Sequence, residues 1–275
     1  MCNRYPPPGE IEIERAFALG RQAPNRWWKP HVTPLALGPY IKPGGVLEVG
    51  QWGMIPRSSK TRRPMTVDGK PMSTNNARRE TLAKSWTFAP AWRAGQRCLI
   101  PVESWVEPYW GLGSRNVWWS FRRADGTPAA LAGLYCEWVE PATGEVVPNY
   151  TMITQPADAH PVLALMHRPG KEKRGVLMLE PGDWDAWLHG TAAQAEALIK
   201  LPPLGVLRSG AEKPEEEALL PAEQLQALKL EDRVRDQAQT RQLLRVGGVS
   251  FAHSARNLAH WSSARRRSGM SSRTS

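Results

Sequence analysis

Between Met1 and about Pro203, short apolar runs are cut repeatedly by proline and glycine, and this punctuation leaves room for many short strands but few long helices. Residues 46–49, 97–102, 117–121 and 150–154 read as strands rich in Val, Ile, Leu, Tyr and Trp. Turn signals separate them at Asp68-Gly69, at Ala124-Asp125-Gly126 and over 141–144. Helical patterns are fewer: residues 78–91 read as one amphipathic helix stopped at Pro90, and 180–188 as a cap followed by a short helix. Strands outnumber helices and do not alternate with them, which predicts an α+β domain and argues against a doubly wound sheet. That domain is expected to occupy residues 1–213. From Pro214 the sequence turns polar, permits helix to about Leu244, and ends in a Ser- and Arg-rich stretch expected to be disordered. No internal repeat is seen.

The charge narrows the function. The formal net charge is +10, and an excess of this size favours a polyanionic partner, because neutralising phosphates releases counterions. Thirteen Trp against four Phe suits both a dense core and the stacking of bases. The three cysteines, Cys2, Cys98 and Cys136, are too few and too scattered for a disulfide framework or a zinc site. A reduced, cytoplasmic setting is therefore expected, with nucleoid association when bound to DNA. Neither a long apolar span nor a signal-like N-terminal stretch is seen, so no membrane partner is expected.

Cys2 carries the most distinctive chemistry. If Met1 is removed, Cys2 offers an α-amine and a thiol on adjacent carbons. The amine has a reference pKa of about 7.7–8.0, against about 10.4 for lysine, so far more of it is neutral at physiological pH. A neutral amine adds to an aldehyde to give a Schiff base, and the neighbouring thiol can close onto the imine carbon to give a thiazolidine. No internal cysteine can do this, and no metal or organic cofactor is required. Taken alone, Cys2 reads as an accident of position in a frayed terminus. Three further segments bear on the choice: a polar loop at 75–81, a strand-like run with acids at its end at 97–107, and a lone histidine, His167, in a basic loop at 166–174.

Taken in order, these segments resemble the SOS-response-associated peptidase (SRAP) family. The terminus reads Met1-Cys2-Asn3-Arg4 and is followed by Asn76-Ala77-Arg78-Arg79-Glu80-Thr81, by Arg97 through Glu107, and by His167 with Lys173-Arg174. Residues 52–56 and 131–135 also resemble family segments, and the likeness spans about residues 1–200. The resemblance implies a single domain with a bent, largely antiparallel, barrel-like sheet and a few flanking helices. It implies that Cys2 forms the thiazolidine link to the ring-opened sugar of an abasic site. It gives Asn76 the task of holding the cysteine and sugar, Glu107 that of acid/base, and His167 that of assisting ring opening and proton transfer. Arg4 and Arg78 match arginines that grip flanking phosphates, where the bidentate fork suits the geometry. The partner expected is single-stranded DNA containing abasic sites.

This chain also departs from the family pattern. Asn3 stands where glycine is usual, Val102-Glu103-Ser104 replaces Ala-x-Gly, and Pro108 replaces tryptophan. The loop at 57–63 carries cations, with Arg57 and Lys60 as candidate DNA contacts, where many relatives carry tryptophans. Asn76 is also a residue type that caps helices. Three readings follow: covalent capture of abasic sites with possible lyase activity, a thiol peptidase built on Cys2, His167 and Asn76 whose action stops at Met1 or extends further, and a binding protein without catalysis.

Overall fold

The computed structural model describes residues 2–24, 26–111 and 115–225. Eleven strands are found among them: β1 (Leu37–Lys42), β2 (Val46–Trp52), β3 (Asn76–Arg78), β4 (Arg97–Val102), β5 (Trp105–Tyr109), β6 (Val117–Arg123), β7 (Ala129–Val139), β8 (Val146–Pro156), β9 (Arg174–Val176), β10 (Met178–Leu179) and β11 (Leu207–Ala211). The helices are short: α1 (Glu10–Ala16), α2 (Ala89–Arg93), α3 (Trp184–His189), α4 (Ala192–Ala197) and α5 (Pro214–Glu217).

Strands β7, β4, β1, β2 and β8 close into a ring, because β8 pairs with β2 on one side and with β7 on the other. Five strands cannot alternate direction around a closed ring, so one neighbouring pair must run parallel. That pair is β2 and β8, joined at Gln51↔Asn149 and Trp52↔Tyr150. The remaining ring pairs are antiparallel. Beyond the point where β2 leaves β8, β3 takes over the same edge in parallel, with Asn76 opposite Met152. The expected barrel-like, largely antiparallel sheet is thus a closed five-stranded barrel with extra strands. A separate three-stranded sheet, ordered β11-β6-β5, stands beside it.

Two apolar layers divide the alternating side chains of the barrel strands. Cys98, Ile100 and Val102 join a cluster with Cys2, Tyr5, Tyr40, Trp52, Trp105 and Met152. Leu99, Ile41, Leu134 and Ile153 join a second cluster under Ile13, Phe17 and Trp187 of the helical face. All six residues of β4 are buried, which is why residues 98–102 read as an unbroken apolar run.

Two local readings of the sequence change. Residues 78–91 do not form one helix. Arg78 ends β3, a single 3-10 turn covers Arg79–Thr81, and the helix is only Ala89–Arg93. Pro90 lies in the first turn of that helix, where its missing N–H costs nothing, so it starts the helix instead of stopping it. The run at 97–107 also divides. Its first part is a barrel strand and its second part belongs to the small sheet, with the break at Glu103-Ser104. The expected helix after a cap near Glu180 is present as a 3-10 turn followed by α3. The C-terminal segment begins with α5 and buries Leu220 against the barrel cluster. The remainder of the extension, and the tail expected to be disordered, lie outside the described residues.

Candidate functional site

The N-terminal segment runs between the barrel and the small sheet. Arg4 O accepts from Val106 N–H at 3.3 Å, Pro6 O from Glu103 N–H at 2.9 Å, and Tyr5 bridges antiparallel to Val32. The Tyr5 hydroxyl is hydrogen-bonded to that of Tyr150. This contact demands glycine at position 38, where a Cβ would stand 2.1 Å from the Tyr150 hydroxyl oxygen and 2.5 Å from that of Tyr5. Threaded this way, Cys2 is completely buried, the opposite of a frayed end.

From the barrel side, the first residue of β3 and the one before it present asparagines to Cys2. Asn76 Nδ2 donates to Cys2 O at 2.8 Å, and Asn75 Nδ2 donates to the same oxygen at 3.4 Å. Asn75 is pinned in turn by its carbonyl, which accepts from Trp52 Nε1 at 2.9 Å and from Met152 N–H at 3.0 Å. Asn76 therefore caps no helix. It is a strand residue whose side chain is 6% exposed and whose Oδ1 is buried without a hydrogen-bond partner. The side chain of Asn3 points outward and accepts from Asn75 Nδ2 at 3.3 Å, so the residue that replaces glycine is accommodated by an extra link to the asparagine pair.

The small sheet supplies Glu107, which is 1% exposed. It sits opposite Trp119 in the β5–β6 register. Burial pushes its carboxyl up to about 7. Burial, and then the charge of Glu107, push the Cys2 thiol up to about 12. His167 reaches the same point from the loop before β9. Its N–H donates to Pro108 O at 2.7 Å, and its Nε2 lies 3.0 Å from Arg174 O and 3.6 Å from Glu107 Oε2. A carbonyl only accepts, so Nε2 carries the ring proton and Nδ1 is the acceptor. Burial, helped by surrounding positive charge, lowers the imidazole to about 4. The backbone of His167 has φ +64, a left-handed conformation uncommon outside glycine and held here by the bonds on either side. Lys173 Nζ closes the loop on Met166 O and His167 O. Buried Arg174 is fixed by a bidentate pair with Glu80 and by Glu172.

The fold therefore gathers Cys2, Asn76, Glu107 and His167 from four separate stretches of chain. The arginines expected to meet phosphate flank this group. Arg4 stacks over Trp118 at 5.5 Å and is ion-paired with Glu212, and Arg78 is paired with Glu172 at 2.9 Å. Arg57 and Lys60 are exposed on a loop whose Ser59 O accepts from Trp138 Nε1. Arg63, at the end of that loop, lines a groove of about 440 Å³ with Asn3, Leu35, Ser73, Thr74 and Asn75. Asn75, Arg63, Trp118 and Glu212 are not among the residues expected at the site, although Asn75 adjoins Asn76 and Arg63 belongs to the cationic loop at 57–63.

The sequence profile of the family described as SOS response associated peptidase (SRAP) matches residues 1–208. The chain belongs to the SRAP family. A crystal structure of an SRAP-like protein from Bordetella bronchiseptica is 33% identical, with a TM-score of 0.68, covering 77% of this chain and 100% of that one. A structure from Bacteroides thetaiotaomicron shares the fold at 17% identity and a TM-score of 0.64, covering 78% of this chain and 93% of that one. A phage-related protein from Bordetella bronchiseptica does so at 18% and 0.55, covering 77% and 94%. No curated protein matches. The matched residues include every barrel strand, β5 and β6, and end within β11, so Glu212 lies just past them. Among the described residues, no helix is long and apolar enough to cross a membrane.

Proposed function

We propose that this SRAP protein captures abasic sites in single-stranded DNA as a thiazolidine on Cys2, once Met1 has been removed. The observation that carries the reading is the burial of Cys2 under the Asn76 hydrogen bond, with a carboxyl titrating near neutrality and a neutral imidazole at the same point. The α-amine of Cys2 adds to the C1 aldehyde of the ring-opened sugar to give a carbinolamine. Glu107, protonated in a large fraction of molecules near pH 7, delivers a proton to the departing hydroxyl, and water leaves. The thiol then adds to the iminium carbon and its proton returns to Glu107. The balance is aldehyde plus aminothiol giving thiazolidine plus water. His167, held neutral by burial with Nε2 on Arg174 O, suits the proton transfer that opens the sugar ring. The unpartnered Oδ1 of Asn76 is an acceptor ready for a sugar hydroxyl or the protonated amine. Arg4, Arg78 and Arg63 supply cations for the strand on either side.

The raised thiol of Cys2 speaks against a thiol peptidase acting on other proteins, because such a nucleophile needs a lowered pKa. The Schiff-base route begins from the amine and does not require a thiolate at the outset.

The test uses protein with a native N-terminus and a uracil-excised single-stranded oligonucleotide, run on a denaturing gel beside Cys2→Ala and an intact oligonucleotide. A band shift that needs both Cys2 and the abasic site is expected. No shift, with loss of Met1 verified by mass spectrometry, would overturn the proposal.

A further inference from the structure

Both arginines flanking the reactive terminus are occupied by carboxylates. We infer that Glu212 and Glu172 are specificity-determining residues that act as internal phosphate mimics, so that single-stranded DNA must displace both to engage Arg4 and Arg78. The inference rests on the reading that these arginines meet phosphate. A carboxylate and a phosphate each offer two anionic oxygens to a guanidinium, so the two compete for the same fork.

Neither carboxylate is a wandering surface side chain. Glu212 N–H donates to Trp118 O at 2.8 Å, continuing the β11–β6 ladder by one residue beyond β11. The segment that follows is docked. Glu217 Oε1 accepts from Ala211 N–H, Gln224 bonds both Gly111 O and the Tyr109 hydroxyl, and Leu220 is buried. Glu212 is thereby set against the face where Arg4 lies over Trp118. On the other flank, Glu172 Oε1 is fixed at 2.6 Å by the buried Arg174, leaving Oε2 for Arg78 at 2.9 Å. Arg4 stands two residues after Cys2, and Arg78 two residues after Asn76. One mask therefore sits on the N-terminal segment that carries Cys2 and one on β3, which carries Asn76.

The consequence is discrimination. A chain of net charge +10 would otherwise hold any single strand, because phosphate contacts carry no sequence or lesion information. Masking the two arginines nearest the reactive group weakens the hold on intact DNA. A strand that becomes covalently linked is retained whatever its non-covalent affinity. Glu212 lies just past the residues matched to the family, on the ladder that continues β11.

The test measures equilibrium binding of an intact oligothymidine by fluorescence anisotropy at low salt, for the full chain and for Glu212→Gln, Glu172→Gln and the double variant Arg4→Gln/Glu212→Gln. Each single variant is expected to bind roughly two- to fivefold more tightly, the range set by an exposed ion pair. The double variant is expected to lose that gain. Unchanged or weaker binding by Glu212→Gln, with circular dichroism matching the parent, would overturn the inference, as would absence of binding by parent and variants alike. Should Glu212→Gln fail to fold, Glu172→Gln decides the question at the other arginine. Cross-linking to an abasic oligonucleotide, measured in parallel, separates the two proposals. Cross-linking without an affinity gain removes the mask and keeps capture, and an affinity gain without cross-linking does the reverse.

Discussion

His167 Nε2 lies 3.6 Å from Glu107 Oε2, yet the two are not an ion pair at neutral pH. Burial holds the imidazole near 4 and lifts the carboxyl to about 7, so the histidine is neutral and the acid is close to half-protonated. Neighbours with pKa values pushed apart from their usual order are the arrangement from which acid and base roles are drawn. A proton can be held on the carboxyl while the ring stays neutral.

The pH profile of cross-linking should follow from this pair. The α-amine must be neutral, which raises the rate toward pH ~8, and Glu107 must be protonated, which lowers it above about 7. A bell with its maximum between these limits is expected in single-turnover gels. Glu107→Gln should reduce the rate by about a hundredfold, the lower range for general acid catalysis, and remove the alkaline limb. A wild-type rate still rising well above pH 8 would contradict the assignment.

Stability should carry the same signature. A carboxyl whose folded pKa lies above its unfolded value favours folding while protonated, and that contribution is lost as pH rises from about 4.5 to about 7. Glu107→Gln should therefore have a higher Tm than wild type at pH 8, and the difference should shrink as pH falls toward 4.5. His167 works in the opposite sense. Its lowered pKa contributes stability above about 6.5 that is lost as pH falls toward 4. Thermal melts of Glu107→Gln and His167→Gln across this range check both signs.

Asn76 donates to Cys2 O from a buried position. Asn76→Asp replaces that donor by an acceptor and sets oxygen against oxygen. A cost of about 1–3 kcal/mol is expected from the lost bond and the unsatisfied carbonyl. Cross-linking should fall by more than tenfold while binding of intact oligonucleotide stays near wild type. Equal losses in both assays would show that Asn76 only supports the fold.

Gly38 leaves room for the Tyr5–Tyr150 hydroxyl pair. Gly38→Ala should force Tyr5 away, at about 1–3 kcal/mol by denaturant unfolding. It should also slow cross-linking, although residue 38 touches no substrate, because Tyr5 anchors the strand that carries Cys2. Wild-type cross-linking in a folded Gly38→Ala protein would show that this anchor does not set the position of Cys2.

Local elements whose code is short-range can be read from the order of residues alone. The strands at 97–102, 117–121 and 150–154 were legible because β-branched and aromatic residues between turn signals have few alternatives. The site residues were legible as motifs. Their meeting was not, because it depends on partners dozens of residues apart. Tertiary structure alone placed Asn76 in a strand, since the edge of β8 that β2 leaves empty requires pairing, and that demand overrides a helical pattern over 78–91. It alone bent the 97–107 run between two sheets so that Glu107 faces Cys2. It alone brought Glu212 to Arg4 across 208 residues of sequence separation, a pairing no local pattern encodes. Burial set the carboxyl, thiol and imidazole pKa values as well, because desolvation belongs to the packed state and not to the residue.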